Sequence, residues 1–269
     1  MQKSTSGNDG DLLRQIATLT AIIGAFVINV LSNIYPFNGV RIGEISNTLF
    51  ANVLIIPANY AFAIWGLIYL GLFALGIYQV LPNQRHDVDL RQTGYLLVIA
   101  CVAQSIWVYL FLSRLFALSV IAMLLILLPL IAAYLRLGIG KKRVSQSKKW
   151  CVHFPMSIYL GWISVATIVN VASWLYFQGW NGWGISAQLW TAMMLLAAFV
   201  IAVVIVIQRR DFAYTGVTVW ALVAIAQRSE GIALKQWNNS LLRNLALILA
   251  IALVLIMTMK SLENQRTGT

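Results

Sequence analysis

Long apolar runs separated by short polar or basic segments repeat along the whole chain. Eight of them approach or reach the ~20 mostly apolar residues that a membrane-spanning helix needs. They cover residues 16–34, 58–81, 94–113, 115–135, 153–177, 187–207, 212–227 and 241–259. The fourth follows the third after the single residue Arg114, and Pro129 interrupts it as a tolerated kink. The run 212–227 is the shortest and the weakest. A transmembrane barrel would instead show roughly ten-residue stretches of alternating polarity. Unbroken runs such as 117–133 do not alternate. The pattern therefore predicts an all-α, polytopic transmembrane bundle of about eight helices.

Composition supports this. Charged residues make up 10% of the chain, against about 25% in soluble domains. Such a chain needs lipid as its outer solvent, where every backbone amide must be satisfied internally. The formal charge is +11. The basic residues lie between the apolar runs, so the excess reads as loop bias and not as nucleic-acid binding. The segments on the N-terminal side hold fourteen Lys and Arg, including Lys3, Arg85, Arg91, Lys142 and Lys148. The other side holds five, Arg41, Arg114, Arg228, Lys235 and Arg243. The positive-inside rule then predicts both termini in the cytoplasm, in a multi-pass protein of a bacterial inner membrane. If 212–227 does not cross, the C-terminus changes sides. The polar tail 1–11 lacks the basic–apolar–small order of a cleaved signal, so the first run is read as retained. Cys101 and Cys151 have neither metal spacing nor a disulfide framework.

The residues that usually carry chemistry are scarce. None of the eight acidic residues lies inside a predicted span, and ionisable groups at depth are the usual mark of ion pathways and proton relays. His86 and His153 fall in or beside loops, and no metal site, cofactor site or catalytic grouping is expected. The chain is read as a non-enzyme. What remains is aromatic and neutral-polar. Trp162, Ala166 and Asn170 recur every four residues and share one helix face, with Ser164 and Thr167 nearby. Gln104 and Trp107 share another face. Such groups serve helix packing as readily as a ligand. Residues 37–57 form a long, semi-apolar loop with room for a short interfacial helix. The uncharged stretch 178–184 carries Trp180 and Trp183, as an aromatic belt or a lid over a ligand.

The run Trp162-Ile163-Ser164-Val165-Ala166-Thr167-Ile168-Val169-Asn170 resembles the Trp-x-Ser-Phe-Ala-Thr-x-x-Asn signature of the tryptophan-rich sensory protein family, also called the translocator protein or peripheral benzodiazepine receptor family. Phe154, Pro155 and Tyr159 precede it as that family's do. Gln104, Trp107 and Phe111 are similar to its Asn-x-x-Trp-x-x-x-Phe, with Gln in place of Asn. Pro57, Phe62, Trp65 and Tyr69 are similar to its proline-tryptophan-tyrosine motif, with Phe62 one position nearer to Trp65. Unlike the family's first loop, 37–57 has no tryptophan. The resemblance covers residues 12–177 and implies a five-helix bundle that binds porphyrins, sterols or synthetic aromatic compounds. It implies Trp65, Gln104, Trp107, Trp162, Ala166 and Asn170 as pocket residues. Pro57, Phe62, Tyr69 and Thr167 belong to its motifs or packing. Residues 178–260 are then three additional helices, followed by a polar tail, 261–269.

The function expected from the residues and the resemblance together is a membrane receptor or carrier for a hydrophobic small molecule such as a tetrapyrrole, a sterol or another lipid-like compound. The alternatives are a transporter of such a ligand and a non-enzymatic scaffold. The expected partners are that ligand, with porphyrin the leading example, the lipid bilayer and, in the scaffold reading, a second copy of the chain as a homodimer.

Overall fold

The computed structural model describes residues 5–231 and 240–266. Lys3 and Lys235, which enter the charge comparison, and the outer ends of both polar tails lie outside them. The described residues form helices and turns with no strand. The helices are α1 (Thr5–Ile34), α2 (Ile42–Asn47), α3 (Ile64–Val80), α4 (Val88–Leu112) and α5 (Phe116–Leu137). They continue with α6 (Gln146–Lys148), α7 (Phe154–Phe177), α8 (Ala187–Arg209), α9 (Phe212–Gly231) and α10 (Ser240–Arg266). Among the described residues seven helices are long and apolar enough to cross a membrane, and α9 is not one of them. At 20 residues it still reaches about 30 Å. It misses on hydropathy because it carries Thr215, Thr218, Gln227 and Arg228.

The helix ends have local causes. Asp87 caps α4 by accepting from the Leu90 amide at 3.0 Å. Ser186 caps α8 through Leu189 at 3.2 Å. Asp211 caps α9 through Ala213 and Tyr214 at 3.1 and 3.0 Å. Each side chain satisfies amides that the first turn leaves unpaired. The α4–α5 break is as short as the sequence suggests, with Arg114 in the left-handed region at φ 60°. Pro129 lies inside α5, which continues through it. Before α7 the chain makes a π turn over Lys149–His153, and the Phe154 amide reaches back to the Lys149 carbonyl. Pro155, which has no N–H to donate, sits in the first turn of the regular helix that follows. α1 starts earlier than expected. Asp11 therefore stands on a helix, where a polar tail was expected for residues 1–11.

The chain divides into two compact units. The first contains Met1–Arg41 and Trp65–Leu160. In it α4 packs against α1 and α5, around Leu97, Ala100, Ile126 and Leu130. Gly71 allows α3 to approach α7 closely: a Cβ there would lie 3.0 Å from Pro155 Cβ. One end of this unit is ionic. Asp11 accepts from Arg91 Nε at 2.8 Å and lies 3.1 Å from His86 Nδ1. Lys148 Nζ donates to Asp87 and Asp89, each at 2.7 Å, and Lys142 adds 3.1 Å to Asp89. Segments that the charge pattern assigns to one side of the membrane thus meet at one end of the unit.

The second unit contains Ile42–Ile64 and Gly161–Thr269. Here α9 contacts α8, α10 and the 3-10 turn Asn59–Ala63. Most of its polar residues are buried: Thr215 and Thr218 are enclosed and bond the Asp211 and Tyr214 carbonyls, and Arg228 is buried, while Gln227 is exposed. Gly161 of α7 approaches α9 so closely that a Cβ would meet the Tyr214 carbonyl at 3.1 Å. By contrast α8 and α10 expose Met193, Leu196, Val200, Ile251, Val254 and Leu255, as lipid-facing helices do. In this unit the helix without a spanning-length apolar stretch, α9, is the one mostly enclosed by protein, while α8 and α10 face outward.

Candidate ligand-binding site

Of the six expected pocket residues, Trp65, Gln104 and Trp107 belong to the first unit. Gln104 is 2% exposed. Tyr159 Oη donates to its Oε1 at 2.5 Å, and its Nε2 donates to Tyr69 Oη at 3.0 Å. Tyr69 in turn donates to the Ala25 carbonyl at 3.0 Å. This directional chain ties α7, α4, α3 and α1 together. Trp65 rests on both tyrosines, stacked 5.7 Å from Tyr69 and edge-on at 6.1 Å from Tyr159. Phe26 packs edge-on against Tyr69 from α1 at 5.3 Å. A carboxamide has two donor and two acceptor positions, and Gln104 uses one of each on protein. Its extra methylene relative to Asn lengthens the arm that bridges the two hydroxyls. Trp107 is half-buried and stacks on Phe111 at 5.1 Å.

Trp162, Ala166 and Asn170 belong to the second unit. Their four-residue spacing holds on α7, with Trp162 and Asn170 buried and Ala166 half-buried. Trp162 is 3% exposed. Phe62 packs edge-on against it, with centroids 6.0 Å apart. Thr167 bonds the Ile163 carbonyl of its own helix at 2.7 Å, an internal bond that suits packing. An apolar void of about 10 Å³ lies against Val165, Val169, Leu195 and Leu222, and that is room for roughly one water-sized sphere. Trp180 and Trp183 of the stretch 178–184 pack with Trp190 of α8 at 5.1–6.0 Å. Trp190 donates to the Gly182 carbonyl at 2.9 Å.

One part of this unit was not foreseen. The segment 42–63 includes the short helix expected in the first loop, α2, and it is tied along its length to α9. Arg228 donates to the carbonyls of Ser46 at 2.7 Å, Phe50 at 3.5 Å and Pro57 at 3.5 Å. The Ala58 amide donates to the Ala224 carbonyl at 2.9 Å. Trp220 Nε1 donates to the Ala61 carbonyl at 3.1 Å, and its ring meets Tyr60 edge-on. Trp220, Ala224 and Arg228 stand four residues apart, the same stripe pattern as Trp162, Ala166 and Asn170. That spacing was the available signal.

The sequence matches the family described as TSPO-like protein over residues 15–259. The chain belongs to that family. It is a multi-pass membrane protein of the TSPO kind, and the match runs through α8 and α9 and most of α10. No curated protein and no solved structure matches the chain.

Proposed function

We propose that this TSPO-like chain is a membrane receptor or carrier that holds a hydrophobic small molecule against its motif aromatics. The ligand class is a flat or greasy body: a tetrapyrrole, a sterol or another lipid-like compound. The observation that carries the reading is the setting of Trp65. Two tyrosines and a glutamine support it, and their hydrogen bonds are satisfied by one another and by a backbone carbonyl. Such a surface offers stacking area and orienting dipoles without ionised groups. It suits binding better than bond breaking, and we read the chain as a non-enzyme. The basic end of the first unit, with Arg91, Lys142 and Lys148, faces the cytoplasm in this reading. Both termini then lie on that side of a bacterial inner membrane.

Titration of the purified protein with protoporphyrin IX and with cholesterol, followed by tryptophan fluorescence, tests this. Saturable quenching or a saturable shift is expected with at least one of them. Trp65→Ala is expected to weaken it about tenfold or more, as the loss of an aromatic anchor does. A response that never saturates in the wild type contradicts the proposal.

A further inference from the structure

We propose that Arg228 and Trp220 strap the segment 42–63 in place, so that α9 sets the rate at which a ligand reaches Trp162. The inference deepens the binding reading above and rests on it for the identity of the site. It starts from accessibility. Trp162 is 3% exposed, and the ring against it is Phe62. A ligand that stacks on Trp162 has to displace Phe62, and Phe62 sits in the turn Asn59–Ala63 that Trp220 holds by the Ala61 carbonyl.

The strap is anchored further along by one cation. Arg228 is 8% exposed, and its guanidinium reaches carbonyls at three separated points, residues 46, 50 and 57. The planar guanidinium fork can serve several acceptors at once, which an ammonium on a flexible stem does poorly. A buried charge that loses its hydrogen-bond partners is costly. Peeling away one part of the segment therefore strips partners from the same cation that holds the others, and the segment opens as a unit. Between Arg228 and Trp220 the Ala58–Ala224 backbone bond continues the seam. Arg228, Ala224 and Trp220 form one face of one helix, so a shift of α9 moves all the anchors together. In this account the helices that follow α7 govern access to the tryptophan on α7.

The test uses the full chain in lipid nanodiscs. Arg228→Ala is expected to raise hydrogen exchange across 42–62 by about tenfold or more, with Arg228→Lys between it and the wild type. Trp220→Phe, which keeps the ring and removes the N–H, is expected to raise exchange only around 57–63. Exchange in the middle of α8 stays unchanged and reports an intact fold. Access is read without ligand by placing a thiol one turn from Trp162, with Ala166→Cys. Its alkylation by N-ethylmaleimide is followed on the peptide carrying residue 166, and the rate is expected to rise with exchange. For protoporphyrin IX, association and dissociation are expected to accelerate together, with little change in affinity.

Unchanged exchange in 42–62 in both Arg228→Ala and Trp220→Phe overturns the strap. So does raised exchange with unchanged alkylation at position 166. If Arg228→Ala does not fold, Trp220→Phe and Arg228→Lys decide. A wild type that binds neither protoporphyrin IX nor cholesterol counts against the binding reading alone, since exchange and alkylation judge the strap without any ligand.

Discussion

Gln104 on α4 accepts a hydrogen bond from Tyr159 on α7 at 2.5 Å while its amide donates to Tyr69 on α3 at 3.0 Å. One side chain therefore joins three helices and supports the two rings on which Trp65 lies. Gln104→Leu leaves two buried hydroxyls short of a partner, and the expected loss is about 1–3 kcal/mol. Gln104→Asn keeps the amide, but its arm is shorter by one methylene, and it should fall in between. Thermal unfolding in detergent measures both. Equal stability of Gln104→Leu and wild type contradicts the keystone role.

Gly161, buried on α7, and Gly66, exposed on α3, provide a contrast. A Cβ at Gly161 would meet the Tyr214 carbonyl at 3.1 Å, whereas a Cβ at Gly66 meets nothing within 4 Å. Gly161→Ala is expected to destabilise by about 1–3 kcal/mol through overpacking. Gly66→Ala is expected to be neutral or to stabilise by up to about 1 kcal/mol, from helix propensity. The same unfolding measurement tests the pair, and a reversed order contradicts the packing described for α7 and α9.

Lys148, Asp87 and Asp89 form a cluster in which all three side chains are largely buried. Lys148→Met removes the shared cation and should cost about 1–3 kcal/mol, because two carboxylates lose their charge-assisted bonds. Adding Asp89→Asn should recover part of that loss, since it relieves the repulsion left behind. A double-mutant cycle checks the coupling. Additive losses would show that the cluster contributes only as separate surface charges.

Much of the fold was legible because it is written in local pattern. The run 115–135 corresponds to α5 within two residues, the run 94–113 ends within one residue of α4 although α4 begins six residues earlier, and the short helix expected in the first loop is α2. The role of α9 was not legible. Its polar residues made 212–227 look like a doubtful span, and only the contacts show that protein encloses Thr215 and Thr218. The ties from Arg228 to residues 46, 50 and 57 cross more than 170 positions of sequence, which no local pattern encodes. Gln104 is similar. Its spacing from Trp107 placed it on a helix face, but its partners come from two other helices. The caps at Asp87, Ser186 and Asp211 follow from residue type and position alone.

The proposed topology has its own check. Single thiols introduced by Arg143→Cys and Asn181→Cys, in a chain lacking Cys101 and Cys151, are probed in intact cells with an impermeant maleimide. Asn181→Cys is expected to label from outside, and Arg143→Cys only after permeabilisation. The opposite result inverts the assigned orientation.

The central claim is that this TSPO-like chain holds a hydrophobic small molecule. The most direct measurement is mass spectrometry of compounds released from protein purified without added ligand, compared with an unrelated membrane protein prepared the same way. A tetrapyrrole, sterol or lipid-like compound is expected to be enriched on the wild type and depleted from Trp65→Ala. A wild-type extract indistinguishable from that of the unrelated protein would contradict the claim.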